Sequence, residues 1–160
     1  MNVEEFIERA LAAGTDVRRV ADEQEARAEV LRLVAGRPAL VDQTPLLAGL
    51  AGARTAGDPW DAAIGVSEAF SAAAEAGTVA LVQRAGSPRR TSLLPQHHVV
   101  VLPAERVRST YQAMVDEVAA LDPPPTGVQI VSGASRSGDI ESAMIRGMHG
   151  PRQVTIVVVG

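Results

Sequence analysis

The chain has 160 residues, a formal net charge of -4, 46% hydrophobic residues and 2% aromatic residues. This length predicts one domain with an aliphatic core, and the lack of a long basic run argues against nucleic-acid binding. Cysteine and lysine are both absent, which excludes thiolate-bound iron–sulfur clusters and lysine Schiff-base chemistry in this chain. Because the chain has no apolar stretch long enough to span a bilayer and no signal-peptide pattern, we expect a soluble, cytoplasmic protein without membrane insertion.

The first third of the chain alternates helix and strand patterns. Apolar spacing predicts amphipathic helices over residues 3–13 and 22–35. Short strands are predicted at 17–20, as an edge strand, and at 39–41, and turn residues predict a loop over 52–59.

The rest of the chain repeats the alternation with more strongly apolar strands. Strands are predicted at residues 62–66, 78–82, 99–102, 128–131 and 154–159. Helices are predicted at residues 68–76, 107–121 and 139–146. The last three strands are apolar runs, which are typical of strands buried on both faces, so we predict a three-layer α/β/α Rossmann-like sandwich with a mainly parallel sheet.

A loop of small residues between a buried strand and a predicted helix is the strongest candidate for a ligand site. Ser137 is a good N-cap for the helix, whose free amides, together with the Ser135 hydroxyl and the Arg136 guanidinium, would converge on a carboxylate or phosphate. We expect this loop to lie beyond the carboxyl ends of the strands, where open α/β sheets bind ligands. The alternative is an ordinary capped helix whose own Asp139 occupies the positive end.

Four sequence blocks resemble the LUD-domain (lactate-utilization) family, and in particular its C-type members. The main block is Ser132-Gly133-Ala134-Ser135-Arg136-Ser137-Gly138-Asp139-Ile140-Glu141, continued by Gly147-Met148-His149-Gly150-Pro151. The others are Gly65-Val66-Ser67-Glu68-Ala69, Ala74-Glu75-Ala76-Gly77-Thr78-Val79, and Ser92-Leu93-Leu94-Pro95 with His98. We therefore expect a single LUD domain over 1–160, with a helical N-terminal part at 1–59 and the family core at 60–160.

The resemblance implies a fold similar to the NagB/RpiA/CoA-transferase-like group of sugar-phosphate isomerases and CoA-transferases. It also implies an accessory subunit in the oxidation of L-lactate to pyruvate, with no cofactor in this chain and iron–sulfur clusters on partner subunits. Whether the chain is an enzyme by itself is left open. The alternative is a stand-alone small-molecule enzyme on the same scaffold that binds a carboxylate, a sugar phosphate or a CoA ester.

Two residues are candidates for catalysis. The CoA-transferase likeness makes Glu75 a candidate nucleophile or base, and the alternative is a surface carboxylate at a helix end. His98 is a candidate proton-transfer group at the start of a strand, and the alternative is a satisfied core histidine. His97 and His98 are expected to face opposite ways, because successive strand residues alternate.

The candidate ligand contacts are polar or glycine residues in the family-like blocks. They are Thr78, Ser92, Ser135, Arg136, Ser137, Asp139, Glu141, His149 and Gly150. The residue between two glycines, His149, is either a ligand contact or a solvated turn residue. No metal site is expected, because the histidines and carboxylates show no ligand spacing.

Overall fold

The computed structural model describes residues 2–50, 52–134, 136–138, 144–146 and 150–160. The helices in these ranges are α1 (Asn2–Ala12), α2 (Glu23–Val34), α3 (Arg90–Leu93) and α4 (Tyr111–Ala119). The strands are β1 (Asp16–Val20), β2 (Ala39–Val41), β3 (Ile64–Glu68), β4 (Ser71–Ala73), β5 (Thr78–Gln83), β6 (His97–Pro103), β7 (Val107–Arg108), β8 (Gly127–Val131), β9 (Arg136–Gly138), β10 (Met144–Arg146) and β11 (Gln153–Val159).

Five strands form a parallel sheet in the order β1-β11-β6-β3-β2. The two longest strands, β6 and β11, pair along their whole length, and every residue of β6 is buried. A strand that is apolar at nearly every position suits a sheet covered on both faces. The predicted mainly parallel sheet is therefore confirmed, and so is the predicted edge strand β1.

Different layers cover the two faces of the parallel sheet. On one face α2 packs through Val30 and Val34 against Val99 and Val157. On the other face lie α1 and a second sheet, with strand order β7-β4-β5-β8, whose outer side is covered by α4 through Met114. Helices flank the central sheet as predicted, but one covering layer also contains a sheet that the sequence patterns did not predict.

The two N-terminal helices form where the sequence predicts them. In α2 the Asp22 side chain accepts a hydrogen bond from the Glu25 amide at 2.9 Å, and Ala35 ends the helix in the left-handed conformation, with φ 48°. The buried face of α1 presents Phe6 and Ala10 to the core. Both helices agree with the predicted ranges to within one residue.

The predicted helix over 68–76 is wrong, because this segment contains strand β4 instead. Ala69, Ala72 and Ala74 are fully buried between the two sheets and α1. Alanine has a high helix propensity, but burial between packed layers overrides propensity where only small side chains fit. The predicted helix over 107–121 is too long for a related reason: its first residues form β7, which pairs with β4, and α4 begins at Tyr111.

Strand β8 was expected to be buried on both faces, and this expectation is wrong. Its residues alternate, with Val128 and Ile130 exposed by 43% and 39%. The strand lies at the edge of the second sheet, antiparallel to β5, where one side faces solvent.

The predicted helix over 139–146 is wrong in its described part. Residues 144–146 form β10, which pairs antiparallel with β9 so that Ser137 lies opposite Ile145. Ser137 is therefore a strand residue and not a helix N-cap. The backbone N–H and C=O groups of this segment pair with the neighbouring strand instead of forming helical hydrogen bonds. Residues 139–143 lie outside the described residues.

Candidate functional site

A cavity of about 210 Å³ opens at the amino edge of the parallel sheet, where β6 and β11 begin. We call it the amino-edge cavity. Its polar and glycine lining residues are Ser92, His98, Gln129, Ser132, Gly133 and Gly150. Two family-like blocks, which are far apart in sequence, thus meet at one place, and they bring together the predicted residues Ser92, His98 and Gly150.

His98 forms part of the cavity wall and is almost completely buried, with 1% of its surface exposed. Its Nε2 lies 3.1 Å from the hydroxyl of Ser67 on the neighbouring strand. Burial, assisted by the adjacent His97, lowers the pKa of His98 to about 3, so the ring is neutral at neutral pH. The satisfied core histidine described as the alternative is therefore observed, and the same ring lines a cavity.

His97 points to the opposite face of the sheet, as expected for adjacent strand residues. Its Nε2 lies 2.8 Å from the Thr155 hydroxyl on β11. Burial, together with the charge of Arg37, lowers the pKa of His97. The two histidines thus offer a matched pair, with similar burial but only His98 in the cavity wall.

Ser92 links helix α3 to strand β8 across the cavity. Its hydroxyl lies 2.6 Å from Gln129 Oε1 and 3.0 Å from the Arg89 carbonyl oxygen. The helix approaches β3 closely at Gly65, where a methyl group would overlap the carbonyl oxygen of Thr91. Gln129 is not among the predicted site residues, although a polar residue inside the apolar run of β8 is a signal that the sequence contains.

A second close approach shapes the end of β8. Gly133 has φ +92°, and a Cβ atom there would lie 2.7 Å from the Ala13 carbonyl oxygen. Glycine is required on both counts, since other residues rarely adopt this φ. The backbone conformation and the close packing therefore explain why this position of the family-like block is a glycine.

Glu75 and Thr78 do not line the amino-edge cavity. The exposed Glu75 accepts a hydrogen bond from the Tyr111 amide at 2.6 Å, in the first turn of α4. Thr78 is buried at the start of β5, and its hydroxyl has no hydrogen-bond partner among the described residues. The first contact is a helix cap, and the ligand and catalytic roles of both residues stay predictions.

The structure describes only some of the remaining residues that were predicted to contact a ligand. Ser135, Asp139, Glu141 and His149 lie outside the described residues, and Arg136 and Ser137 belong to β9.

The expectation that the loop after β8 lies beyond the carboxyl ends of the parallel strands is wrong. The cavity instead contains His98 and Val154, the second residues of β6 and β11. The carboxyl-end rule holds for strands of one parallel sheet, whereas β8 belongs to the second sheet.

The carboxyl edge of the parallel sheet carries a larger cleft of about 440 Å³. We call it the carboxyl-edge cleft. Its charged lining residues are Glu68, Arg84, Glu105, Arg106, Arg108 and Glu117. Two ion pairs cross it, Arg106–Glu68 and Arg108–Glu117, each with a closest distance of 2.7 Å. None of these six is a predicted ligand or catalytic residue, although Glu68 follows the predicted strand 62–66, and Glu105 and Arg106 follow the predicted strand 99–102.

Asp42 follows β2 at the same edge and is 7% exposed. Burial raises the pKa of Asp42 to about 6, a rise that the hydroxyls of Thr91 and Ser67 oppose and the charge of Glu68 supports. A buried carboxyl group with a raised pKa is sensitive to any cation or hydrogen-bond donor nearby.

In the part of the chain that the structure describes, no three histidine or carboxylate side chains are grouped to hold a metal ion. None of the helices described there combines the length and apolar character needed to cross a membrane.

The comparisons with known proteins agree with the family resemblance. The family model described as LUD domain matches residues 59–159. The chain is 37% identical over 100 residues to a lactate utilization protein C of Exiguobacterium sp., covering 60% of this chain and 44% of the relative. It is 37% identical over 90 residues to one of Deinococcus radiodurans, covering 56% and 42%. The chain thus spans less than half the length of these curated relatives.

A solved structure supports the fold over nearly the whole chain. The crystal structure of a DUF162 family protein from Deinococcus radiodurans superposes with a TM-score of 0.75 and 21% sequence identity. The match covers 99% of this chain and 96% of that one. The predicted α/β fold with a mainly parallel central sheet and flanking helices is thereby confirmed.

Proposed function

The chain belongs to the LUD domain family, and from this membership we propose that it takes part in lactate utilization as an accessory subunit. In the proposed role it works in the cytoplasm with iron–sulfur partner proteins that oxidise L-lactate to pyruvate. Two observations support this role: the names of the curated relatives, and a sequence without cysteine, which leaves thiolate-bound clusters to the partners.

The convergence of the family-like blocks on the amino-edge cavity carries the proposal. Blocks that contain Ser92, His98, Ser132 and Gly150 line one hollow, although they are spread over residues 92–151. A hollow of about 210 Å³ suits a molecule the size of lactate rather than a dinucleotide. We therefore assign this cavity to a small carboxylate ligand.

The polar groups of the cavity fit such a ligand without a formal charge on the described lining residues. The Ser132 hydroxyl and the Gln129 amide NH2 provide hydrogen-bond donors, because the Ser92 hydroxyl already donates within the protein, and a neutral histidine has one donor and one acceptor nitrogen. His98 Nε2 is engaged with Ser67, whose hydroxyl can either donate or accept. In the proposed role the neutral His98 ring orients the ligand hydroxyl through a hydrogen bond, because a ring whose pKa lies near 3 is a poor proton acceptor at neutral pH.

Reconstitution tests the proposed function. The chain is combined with candidate cysteine-rich iron–sulfur proteins from the same organism, and lactate-dependent reduction of a dye acceptor is measured. We expect activity from the combined proteins, much less from the partners alone, and none from the chain alone. Dye reduction by the chain alone, or full activity of the partners without it, would contradict the accessory role.

A further inference from the structure

The carboxyl-edge cleft differs from the amino-edge cavity in size and in charge. The cleft has a volume of about 440 Å³ and adjoins a second hollow of about 290 Å³. Both are lined by Glu68, Glu105 and Arg106. Together they lie in the size range of small-molecule sites, roughly 300–1,000 Å³. The cleft also lies beyond the ends of β3 and β6, where parallel sheets bind ligands.

Glu68 leaves one hydrogen-bonding position open in this cleft. Its side chain is 10% exposed, and Oε1 lies 2.7 Å from Nη1 of Arg106. The other oxygen, Oε2, is buried and has no hydrogen-bond partner among the described residues. A buried carboxylate oxygen without a donor is unfavourable and rare in folded proteins. A donor group on a ligand would satisfy it.

Asp42 repeats this pattern at the same edge of the sheet. Its Oδ1 is also buried and has no partner in the part of the chain that the structure describes. Burial raises the pKa of Asp42 most, whereas hydrogen bonds from Thr91, Ser67 and Ser87 lower it and the charge of Glu68 adds a smaller rise. Asp42 does not line the cleft, so the Glu68 oxygen is the acceptor there that a ligand with a hydrogen-bond donor can satisfy.

The arginines of the cleft supply positive charge and hydrogen-bond donors. Arg108 is held by both oxygens of Glu117 and by the Glu105 carbonyl oxygen, and Arg106 by Glu68 and the Ala69 carbonyl oxygen. Arg84 lines the same cleft, is exposed and has no ion-pair partner among the described residues. A guanidinium group matches the two oxygens of a carboxylate.

We propose that the carboxyl-edge cleft binds a small organic acid that carries a hydrogen-bond donor, a hydroxyl or an ammonium group, beside its carboxylate. The carboxylate lies against Arg84, and the donor reaches Oε2 of Glu68 after a small shift of that side chain. The inference goes beyond the proposed function, because it concerns a different cavity and stands on the geometry of the cleft alone.

Three probes with one carbon skeleton test the requirement for a donor. L-lactate, L-alanine and propionate share a methyl group and a carboxylate and differ only in a hydroxyl, an ammonium or a hydrogen at the second carbon. Binding to the full chain is followed by NMR through the arginine Nε–Hε resonances and the backbone amides, which include those of His98 and Gln129. We expect lactate or alanine to bind at least about tenfold more tightly than propionate, since a hydrogen bond to a charged group is lost with propionate. The tighter of the two identifies the donor as hydroxyl or ammonium.

Variants connect the binding to the cleft. Arg84→Gln should weaken binding of the preferred probe at least about tenfold, and Glu68→Gln should remove its advantage over propionate. Arg54→Gln is the matched control, because Arg54 is also an exposed arginine and does not line the cleft. Since Arg84 is exposed, its variant should fold even if Glu68→Gln does not.

Several results would overturn the inference: equal affinity for the three acids, no arginine shift with any of them, or unchanged binding by Arg84→Gln. Shifts confined to His98 and Gln129 would place the ligand in the amino-edge cavity. That outcome would remove the second site and leave the proposed function standing.

Discussion

The two edges of the parallel sheet carry cavities of opposite character. The amino-edge cavity is lined by hydroxyls, a glutamine amide, glycines and a neutral histidine, whereas the carboxyl-edge cleft is lined by three arginines and three glutamates. Two family-like blocks meet at the first, another contributes Glu68 to the second, and the general position of ligands in α/β sheets favours the second. Fold position and family resemblance together do not select one of the two cavities, so a site must be argued from its side chains.

Burial acts on both edges but in opposite directions on the two key pKa values. It lowers the pKa of His98 and raises that of Asp42, so each group is driven toward its neutral form. The two edges should therefore differ in how their stability depends on pH, and this difference can be measured.

The largest expected effect concerns His98. Its pKa falls from the ordinary 6.5 to about 3, so below pH 6.5 the unfolded chain binds a proton that the folded chain does not. Stability should therefore decrease as the pH falls from 6.5 toward 3, by at most about 5 kcal/mol at about 1.4 kcal/mol per pKa unit. Urea unfolding across this range measures the effect in the wild type and in His98→Gln. A pH dependence that is the same in both proteins would contradict the assigned burial.

The packing of α3 on β3 gives the next effect and tests the wall of the amino-edge cavity. Gly65→Ala should cost about 3 kcal/mol, because a methyl group has no space beside the Thr91 carbonyl oxygen. Gly57→Ala is the control, since no atom lies within 4 Å of a Cβ built at Gly57. Chemical denaturation compares the two variants. Similar free energies of unfolding would mean that α3 is not packed as closely as described.

Asp42 tests the carboxyl edge with the opposite sign of pH dependence. Its pKa rises from 3.8 to about 6, so between these values the folded chain holds a proton that the unfolded chain has released. Stability should fall as the pH rises through this window. Asp42→Asn, which has no charge to bury, should be more stable than the wild type at pH 7 by about 2 kcal/mol, below the upper bound of about 3 kcal/mol. A less stable Asn variant would show that the ionised carboxylate has a favourable partner.

The smallest expected effect concerns Glu75, which lines neither the amino-edge cavity nor the carboxyl-edge cleft. Glu75→Ala should lower stability by about 1 kcal/mol through the lost hydrogen bond to the Tyr111 amide, and Glu75→Gln should lose less. Mass spectrometry after treatment with acyl-CoA and borohydride provides the second readout. A covalent adduct on Glu75 would revive the alternative of a stand-alone enzyme with a nucleophilic carboxylate.

The parallel sheet is predictable from the sequence because its central strands are almost continuously apolar. Strand β6 is apolar at consecutive positions and β11 nearly so, which a helix with one solvent face would not tolerate. The predictions of a helix over 68–76 and of a fully buried strand over 128–131 are wrong because both segments contribute strands to the second sheet. The alanines in the first segment are buried between layers, and the apolar residues of β8 lie at an exposed edge.

The candidate site is predictable only in part. The family resemblance selected Ser92, His98 and Gly150, which the fold brings together around one cavity. It also selected Glu75 and Thr78, which lie elsewhere. Gln129 was missed because its contact with Ser92 depends on β8 packing beside α3, a long-range arrangement that local patterns do not contain.

His98 and His97 offer the most direct test of the role of the amino-edge cavity. Both are buried beside each other on β6, but only His98 lines the cavity. The measurement is lactate-dependent dye reduction by the reconstituted proteins, with His98→Gln or His97→Gln in place of the wild-type chain. We expect His98→Gln to lower the rate at least about tenfold, because the ligand hydroxyl loses the ring that orients it, and His97→Gln to leave it nearly unchanged. Equal rates for the two folded variants would contradict the assignment of His98 and of the cavity it lines.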